Sequence, residues 1–267
     1  LYSSILPRIS YHSFLFECNE IWCILKETSK ERRQMSKQLA MITARGGSKR
    51  IPRKNIRPFC GRPILCYSIE AAQSSGVFDE IMVSTDDPEI AEIAREYGAK
   101  VPFFRSPATA NDYASTDDVI REVLQTYHSM GQDFDAFCCI YPTAPFVTGK
   151  RLKEAMELLG HADSVMPVVP FSYPPQRGLL ISEAGFLERQ FPEYALTRSQ
   201  DLPKIYHDCG QFYACRTKAF FDEGTTDVKG LIPLVLSEME VQDIDTLEDW
   251  ELAEIKYQKL IKEHTHR

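Results

Sequence analysis

A short apolar segment early in the chain, residues 39–42, leads directly into a glycine-rich loop with five basic side chains. The apolar segment is typical of a buried strand, and the neighbouring glycines Gly46 and Gly47 let the backbone turn sharply and approach a ligand closely. No acidic residue occurs from Arg32 to Ile69. Because exposed amides and cations neutralise phosphate groups, this segment predicts a strand that ends in a site for a nucleotide triphosphate. The basic residues of the loop are Arg45, Lys49, Arg50, Arg53 and Lys54.

The spacing of the glycines excludes two common phosphate-binding motifs. A Walker A loop needs Gly-Lys-Ser/Thr five residues after its first glycine, but Ile51 and Pro52 occupy those positions. A dinucleotide fingerprint needs Gly-x-Gly-x-x-Gly, and the next glycine after Gly47 is Gly61. A basic surface loop without a ligand remains the alternative. Five cations with no acidic neighbours in sequence would repel one another unless an anion were close, and this favours the ligand site.

The composition is that of a soluble globular protein. The chain has 267 residues, 43% of them hydrophobic and 26% charged, with a formal net charge of -7. These values suit one sizeable α/β domain and disfavour binding to nucleic acid. None of the eight cysteines forms a Cys-x-x-Cys pair, so we expect reduced thiols, no zinc site and a cytoplasmic setting. We also expect no association with a membrane, because the apolar runs are too short to span one.

Residues 1–34 differ from the remainder of the chain. They mix aromatic residues, prolines and serines without clear periodicity, and Met35 follows them. We expect residues 1–34 to be a disordered or non-native leader without a function, and residues 35–267 to form a single domain.

Strand and helix signals alternate after Met35, which is typical of βαβ units and a largely parallel sheet. Prolines interrupt this alternation over about residues 170–204, where we expect an inserted arm with hairpin character rather than a second domain. The predicted strands cover residues 39–43, 81–84, 101–104, 136–141, 164–169, 210–215, 232–236 and 241–245. The predicted helices cover residues 63–75, 88–98, 116–127, 148–159 and 247–262, with Thr116 as the cap of the third.

Polar residues follow several of the predicted strands, and ligands of open parallel sheets bind beyond the carboxyl ends of the strands. Asp243 and Asp245 alternate along the last predicted strand, so both carboxylates would lie on one side of it. Two neighbouring carboxylates favour a cation between them, and Mg²⁺ prefers a few carboxylates, waters and phosphates as ligands. Capping of the final helix by Asp245 is the alternative, although Thr246 can also cap that helix. Asp86 is a further candidate, with a turn role before Pro88 as its alternative.

Arg198 lies within the predicted arm. Its guanidinium would bind a substrate carboxylate through two parallel hydrogen bonds; solvation of the side chain is the alternative. His207 follows nearby, but a lone histidine is more often structural than catalytic, and we assign it no role in proton transfer.

Two motifs taken together resemble one enzyme family, the acylneuraminate (sialic-acid-type) cytidylyltransferases. The first motif covers residues 44–55 and the second covers residues 241–250. The similarity extends from about Lys37 to Lys259. Shorter segments that agree with it are residues 58–61, 84–87, 138–141, 198–201 and 207–213.

The resemblance implies a Rossmann-like nucleotidyltransferase fold of the nucleotide-diphospho-sugar transferase type, with a small inserted dimerisation arm. It implies a homodimer that requires CTP and Mg²⁺ and transfers CMP to the anomeric hydroxyl of a nine-carbon 2-keto sugar acid, releasing pyrophosphate. Members that act on pseudaminic acid are the most similar, and N-acetylneuraminate, legionaminate and Kdo are the alternative acceptors. A catalytically silent nucleotide-binding regulator is the alternative of another class, although the intact pair of Asp243 and Asp245 argues against it.

The motifs and the resemblance together give expected roles for individual residues. Catalytic residues would be Lys49, Lys54, Asp243 and Asp245, the last two also as metal ligands. Nucleotide-binding residues would be Arg45, Gly46, Gly47, Ser48, Asn55, Ser84, Asp86, Arg105 and Ser115. Substrate-binding residues would be Tyr141, Thr143, Arg198 and Gln211. Tyr141 and Ala144 stand where sialic acid members usually have Gln and Ser, and with Phe146 they would form an apolar wall that selects pseudaminic acid.

Overall fold

A computed structural model describes residues 37–265 of the protein. The expectation for residues 1–34 lies outside these residues. The strands are β1 (Gln38–Thr43), β2 (Pro58–Phe59), β3 (Arg62–Pro63), β4 (Glu80–Ser84), β5 (Ala136–Ile140), β6 (Ser164–Pro170), β7 (Leu179–Ile181), β8 (Leu187–Arg189), β9 (Tyr206–Asp208), β10 (Phe212–Arg216) and β11 (Leu231–Val235). The helices are α1 (Leu65–Ser75), α2 (Pro88–Glu96), α3 (Pro107–Ala110), α4 (Thr116–Ser129), α5 (Gly149–Leu158), α6 (Thr217–Glu223) and α7 (Leu247–Thr265).

A seven-stranded sheet forms the centre of the fold, in the order β11-β6-β10-β5-β1-β4, with β9 paired to β6. Strand β1 runs parallel to both of its neighbours, β4 and β5. Strand β10 runs antiparallel to β5 and β6, and β9 runs antiparallel to β6. The expected α/β class is therefore confirmed, and the largely parallel sheet is mixed at β9 and β10.

The central strands are buried on both faces, which explains their continuous apolar sequences. Alternate residues of a strand point to opposite faces, so Ile42 and Ile140 join one hydrophobic cluster. Met41 and Phe137 join a second cluster on the other face. Packing on both faces of β1 thus fixes the position at which the strand ends and the basic loop begins.

Two of the predicted strands are wrong. Lys100 makes a single bridge to Met82, and the chain then leaves the sheet, because Pro102 lacks the amide hydrogen that a ladder needs. Residues 241–245 belong to no strand of the described chain. Their carbonyl groups bond to ammonium groups instead: Lys256 donates to the carbonyl of Val241, and Lys54 to that of Ile244.

The helix termini differ from the predicted ones in local detail. Ser115, not Thr116, is the cap of α4: its hydroxyl accepts from the amide of Asp118 at 3.1 Å. The carboxylate of Asp118 accepts in return from the amide of Ser115 at 2.9 Å. Both bonds satisfy amides that have no partner within the helix. At α7, the hydroxyl of Thr246 accepts from the amide of Asp249 at 3.1 Å, and Asp245 does not cap the helix.

The proline-rich segment leaves the sheet after β6 and returns at β9. Strands β7 and β8 form an antiparallel hairpin within it, with Ile181 opposite Leu187. These two side chains are 76% and 68% exposed. The hairpin character expected for residues 170–204 is confirmed, and the hairpin presents apolar side chains to solvent. Within the described residues, no helix has both the length and the apolar character needed to cross a bilayer.

Candidate active site

A cavity of about 690 Å³ opens where the basic loop follows β1. Its walls come from this loop, from the segment around α3 and the start of α4, and from the residues that follow β5. The lining residues are Thr43, Arg45, Ser48, Lys49, Arg50, Lys54, Asn55, Arg105, Thr109, Asn111, Asp112, Ala114, Ser115, Thr116, Val119, Tyr141, Pro142 and Thr143. We call it the first cavity. It brings together nine of the residues predicted from the sequence: Arg45, Ser48, Lys49, Lys54, Asn55, Arg105, Ser115, Tyr141 and Thr143.

The shape of the basic loop depends on a few local contacts. The side-chain amide of Asn55 donates to the backbone carbonyl of Arg45 at 2.8 Å and so connects the two ends of the loop. Gly46 is required by a close approach, since a Cβ atom there would lie 2.6 Å from a carboxylate oxygen of Asp87. Arg53 has a φ of 55°, in the left-handed region, just before the 3-10 turn Lys54–Ile56. Gly47 has open space around it.

Each cation of the loop has an acidic partner from a distant part of the chain. Arg45 and Lys49 both pair with Asp112, the former at 2.6 Å. Arg53 pairs with Asp87 and Glu89. The remaining two cations, Arg50 and Lys54, both pair with the carboxylate of Asp245, at 2.5 and 3.6 Å. The loop therefore has no acidic residue among its sequence neighbours, but the fold brings acidic partners to it. The expectation that its cations lack such partners is wrong. A phosphate ligand would exchange with these carboxylates.

Lys54 connects the loop to the acidic segment near the carboxyl terminus. Its side chain is 16% exposed and its ammonium donates to the carbonyl of Ile244. Burial lowers the pKa of Lys54, while Asp245 and then Asp243 oppose this shift. Asp245 therefore pairs directly with this ammonium group, and Asp243 acts on it through its charge alone. Ile244, between them, is 1% exposed and packs in a hydrophobic cluster with Trp250, which directs its two neighbours outward.

The donor chemistry of Asp243 and Asp245 fits Mg²⁺. Mg²⁺ takes one or two carboxylates and completes its shell with waters and substrate phosphates. Within the described residues, no group of three or more His, Cys, Asp or Glu side chains could hold a metal ion. Two carboxylates beside a cationic cavity would thus hold such an ion only together with a polyanion.

Arg105 lies deep in the first cavity and is 7% exposed. It donates to the hydroxyl of Ser84 at 3.1 Å and to the carbonyl of Ser84 at 2.8 Å. Burial lowers the pKa of Arg105, and the nearby carboxylate of Asp86 opposes this shift. Asp86 also accepts from the amide of Gly46 at 2.9 Å. Ser84 and Asp86 are not among the lining residues, and they position Arg105 and the loop.

Tyr141 directly follows β5 and lines the first cavity. Its hydroxyl lies 3.0 Å from that of Thr116 at the start of α4, and burial raises its pKa. Its ring packs edge-on against Tyr213 at 5.7 Å between centroids. Ala144 and Phe146 are buried in hydrophobic clusters, at 2% and 5% exposure, so the apolar wall predicted from these three residues is reduced to Tyr141.

A second cavity, of about 680 Å³, lies on the other side of the acidic segment. Asp243 lines this second cavity, whereas Asp245 pairs with Arg50 and Lys54 of the first. The segment 243–245 therefore contributes Asp243 to the lining of the second cavity, while Asp245 contacts cations of the first cavity and lines neither. The second cavity is lined by Val169, His207, Asp208, Cys209, Gly210, Glu238, Met239, Val241, Gln242, Asp243 and Lys256.

Two predicted substrate-binding residues line neither cavity. Arg198 has a side chain that is 72% exposed and pairs with Asp201 at 2.7 Å. Gln211 is 2% exposed, and its amide donates to the carbonyl of Glu240 at 2.7 Å. The sequence interpretation also missed Asp112 and Lys256. Asp112 looks like an ordinary loop residue, and Lys256 looks like a solvated position of the final helix.

One protein family matches this chain, and the proteins similar to it include two relatives and one solved structure. Residues 39–183 match the family described as Cytidylyltransferase. A pseudaminic acid cytidylyltransferase from Campylobacter jejuni is 42% identical over 223 residues, which cover 83% of this chain and 96% of the relative. A CMP-N,N'-diacetyllegionaminic acid synthase from Legionella pneumophila is 34% identical over 222 residues, or 81% of this chain and 94% of the relative. A solved CMP:2-keto-3-deoxy-manno-octonic acid synthetase, complexed with CTP, has a TM-score of 0.61 at 17% identity, over 84% of this chain and 99% of that one.

Proposed function

The chain belongs to the cytidylyltransferase family, and on this basis we propose that it transfers CMP from CTP to pseudaminic acid, giving CMP-pseudaminic acid and pyrophosphate. Membership of the family confirms the expected enzyme class, a nucleotidyltransferase. The likeness to the solved synthetase confirms the expected fold.

The observation that carries the proposal is the set of cations in the first cavity. Five basic side chains line it: four belong to the basic loop, and the fifth is that of Arg105. A triphosphate carries the complementary charge, and charge-assisted hydrogen bonds to phosphate oxygens are strong. Ser115 and Tyr141 line the same cavity outside the loop, where the nucleoside would bind. The loop cations are Arg45, Lys49, Arg50 and Lys54.

The reaction joins the two cavities. The anomeric hydroxyl of the sugar acid, held in the second cavity, attacks the α-phosphorus of CTP. A bond forms between its oxygen and the α-phosphorus, the bond from that phosphorus to the bridging oxygen of the β-phosphate breaks, pyrophosphate leaves, and the hydroxyl proton passes to solvent. Catalysis of this kind consists mainly of positioning and charge neutralisation. Lys49 and Lys54 offset the charge that develops on the α-phosphate and the leaving pyrophosphate. Asp243 and Asp245 would hold Mg²⁺, which supplies positive charge to the triphosphate.

The choice of pseudaminic acid as acceptor rests on the relatives. The Campylobacter jejuni enzyme is more similar to this chain than the Legionella pneumophila synthase, at 42% against 34% identity. A legionaminate is therefore the second candidate. Tyr141 is the wall residue that supports selection by an apolar surface, because such a surface leaves a buried sugar hydroxyl unpaired at a cost of about 1–3 kcal/mol.

The arm supports a homodimer. The hairpin of β7 and β8 exposes apolar side chains that a second copy of the chain would cover, and an exposed patch of this kind often marks an interface. In such a dimer Arg198 would reach the acceptor site of the partner chain, which accounts for its exposed position. The six cysteines among the described residues are all free thiols, in keeping with a cytoplasmic enzyme.

A pyrophosphate-release assay tests the proposed function. The purified protein is incubated with CTP, MgCl₂ and one acid at a time: pseudaminic, legionaminic, N-acetylneuraminic or Kdo. We expect release that depends on both substrates, is highest with pseudaminic acid and disappears in EDTA. Equal efficiency with all four acids would contradict the acceptor assignment. Tight CTP binding without release for any acid would favour a silent nucleotide-binding regulator.

A further inference from the structure

The second cavity contains one side chain suited to an anionic substrate. Among its lining residues, Lys256 is the only lysine or arginine. Lys256 lies on α7, and its ammonium is 5.7 Å from the ring centroid of Phe146. The ammonium donates one hydrogen bond, to the carbonyl of Val241, and makes no ion pair with a carboxylate in the described part of the chain. An ammonium has three donors, so this group has capacity for an anion.

The carboxylates that line the second cavity already have other partners. Asp208 accepts from the hydroxyl of Tyr213 and from the amide of Gly210. Glu238 accepts from the hydroxyl of Ser172. Asp243, the third of these carboxylates, would have the metal ion as its partner. Lys256 is thus the one lysine or arginine among the lining residues of this cavity; burial lowers its pKa, and the carboxylate of Glu238 opposes this shift.

The position of Lys256 matches the geometry of a 2-keto sugar acid. The carboxylate of such an acid is attached to the anomeric carbon, which also carries the reacting hydroxyl. A group that binds this carboxylate must therefore lie close to the metal-binding carboxylate. Lys256 bonds to Val241, which is two residues from Asp243, and two residues span at most about 7 Å.

We propose that Lys256 binds the carboxylate of the sugar acid in the second cavity and so places the anomeric hydroxyl beside Asp243. This inference rests on the proposed function and adds a residue to it. It assigns to a lysine of the same chain the carboxylate contact that was predicted for Arg198 of the arm.

The test compares pseudaminic acid with its methyl ester, which lacks the negative charge. For the wild type we expect a kcat/KM that favours the acid by about tenfold to a hundredfold, the range of a charged hydrogen bond. In Lys256→Met this preference should fall to about twofold, with KM for the acid raised and KM for CTP unchanged. Lys259→Met, an exposed position on the same helix, is the matched control and should behave as the wild type.

Each outcome decides the proposal. An unchanged preference for the acid in Lys256→Met overturns it, and loss of the preference in Arg198→Met instead would assign the carboxylate to the arm. If Lys256→Met does not fold, Lys256→Gln is measured in the same way. Absence of turnover with the acid in the wild type would overturn the proposed function and this inference together. Turnover by the wild type combined with an unchanged preference for the acid in the Lys256 variant overturns the inference alone.

Discussion

Asp243 and Asp245 extend from a segment that pairs with no strand of the described residues, so contacts of side chains determine their positions. The buried Ile244 anchors the segment between them, and Lys54 pairs with Asp245. An amide in place of either carboxylate keeps the shape and removes the charge that would hold Mg²⁺. We therefore expect Asp243→Asn and Asp245→Asn each to lower kcat about a hundredfold or more, a loss of roughly 3 kcal/mol of transition-state stabilisation.

Steady-state kinetics at saturating CTP measure this effect, and circular dichroism checks that the fold is intact. Asp227→Asn, at an exposed position, is the matched control and should keep normal turnover. Near-normal turnover of both site variants would show that the two carboxylates have a structural role only.

Asp87 gives a prediction about pH and stability. It accepts from two amides at the start of α2 and pairs with Arg53, whose hydrogen bond is the main cause of its lowered pKa. A lowered carboxyl pKa in the folded state stabilises the protein above the unfolded value near ~3.9, and this stabilisation disappears as the pH falls through the folded value. Because Arg53 is 39% exposed, solvent screening limits the contribution to about 0.5–1 kcal/mol.

Urea unfolding of the wild type and Asp87→Asn at pH 7 and pH 3 measures this contribution. Asparagine remains able to cap the helix, so the substitution isolates the charge. We expect the wild type to be more stable at pH 7 and the difference to shrink at pH 3. A difference that stays constant with pH would mean that the ion pair with Arg53 contributes nothing.

Single residues also mark the limit of what the sequence predicts. The glycines and cations of the basic loop indicate a phosphate site, because their types alone determine that chemistry. Their acidic partners lie 34 to 195 residues away along the chain, and no local pattern identifies Asp112 or Asp245 as those partners. Likewise Ala144 and Phe146 look like wall residues in sequence, and only their packing shows that they belong to the core.

The hairpin of β7 and β8 is the element for which we make a prediction about assembly. Ile181 and Leu187 face each other across the hairpin and are largely exposed in the single chain. A charge at either position would be buried in a dimer interface at a high cost. We expect Ile181→Asp and Leu187→Asp each to shift the protein from dimer to monomer, with little change in the melting temperature of the single chain, because both side chains contribute little to its core.

Light scattering coupled to size exclusion measures the mass of each variant. Glu183→Gln, at the exposed turn of the same hairpin, should remain dimeric. A dimer that persists in both charged variants would remove the hairpin from the interface. CTP binding by the monomer should survive, since no residue of the hairpin lines the first cavity.

Elements differ in how well the sequence predicts them. Strands β1 and β5 are buried on both faces, so their apolar runs are unambiguous. Residues 101–104 and 241–245 also look like strands in sequence. Whether such a segment pairs with the sheet depends on a free strand edge beside it and on available amide hydrogens, and the periodicity of apolar residues indicates neither. The direction of β10 depends on the long arm that precedes it, and the sequence expectation of a largely parallel sheet did not include this reversal.

Binding of CTP links the site to the stability of the whole molecule. A ligand that binds only the folded state stabilises it by ~2.7 kcal/mol at a concentration of one hundred times its Kd. For a domain of this size this corresponds to roughly 5–10 °C in Tm. We expect CTP with MgCl₂ to give such a shift, and CTP with EDTA to give a smaller one because the phosphates and carboxylates then repel one another.

Thermal unfolding followed by intrinsic fluorescence measures these shifts, and GTP serves as the control nucleotide. Asp245→Asn should lose the difference between MgCl₂ and EDTA. An equal shift with GTP would contradict recognition of the cytosine base, and no shift with CTP would contradict the nucleotide site itself.

The two cavities draw their linings from separate stretches of the chain. The first uses residues between Thr43 and Thr143, and the second uses residues between Val169 and Lys256. A gene with this arrangement has a natural crossover point near residue 150. Recombination there between two such enzymes would join a new second cavity to an unchanged first cavity, provided that β10 still pairs with β5 and that the segment 243–245 still meets the basic loop. Substitutions in the lining of one cavity can therefore accumulate while the lining of the other is unchanged.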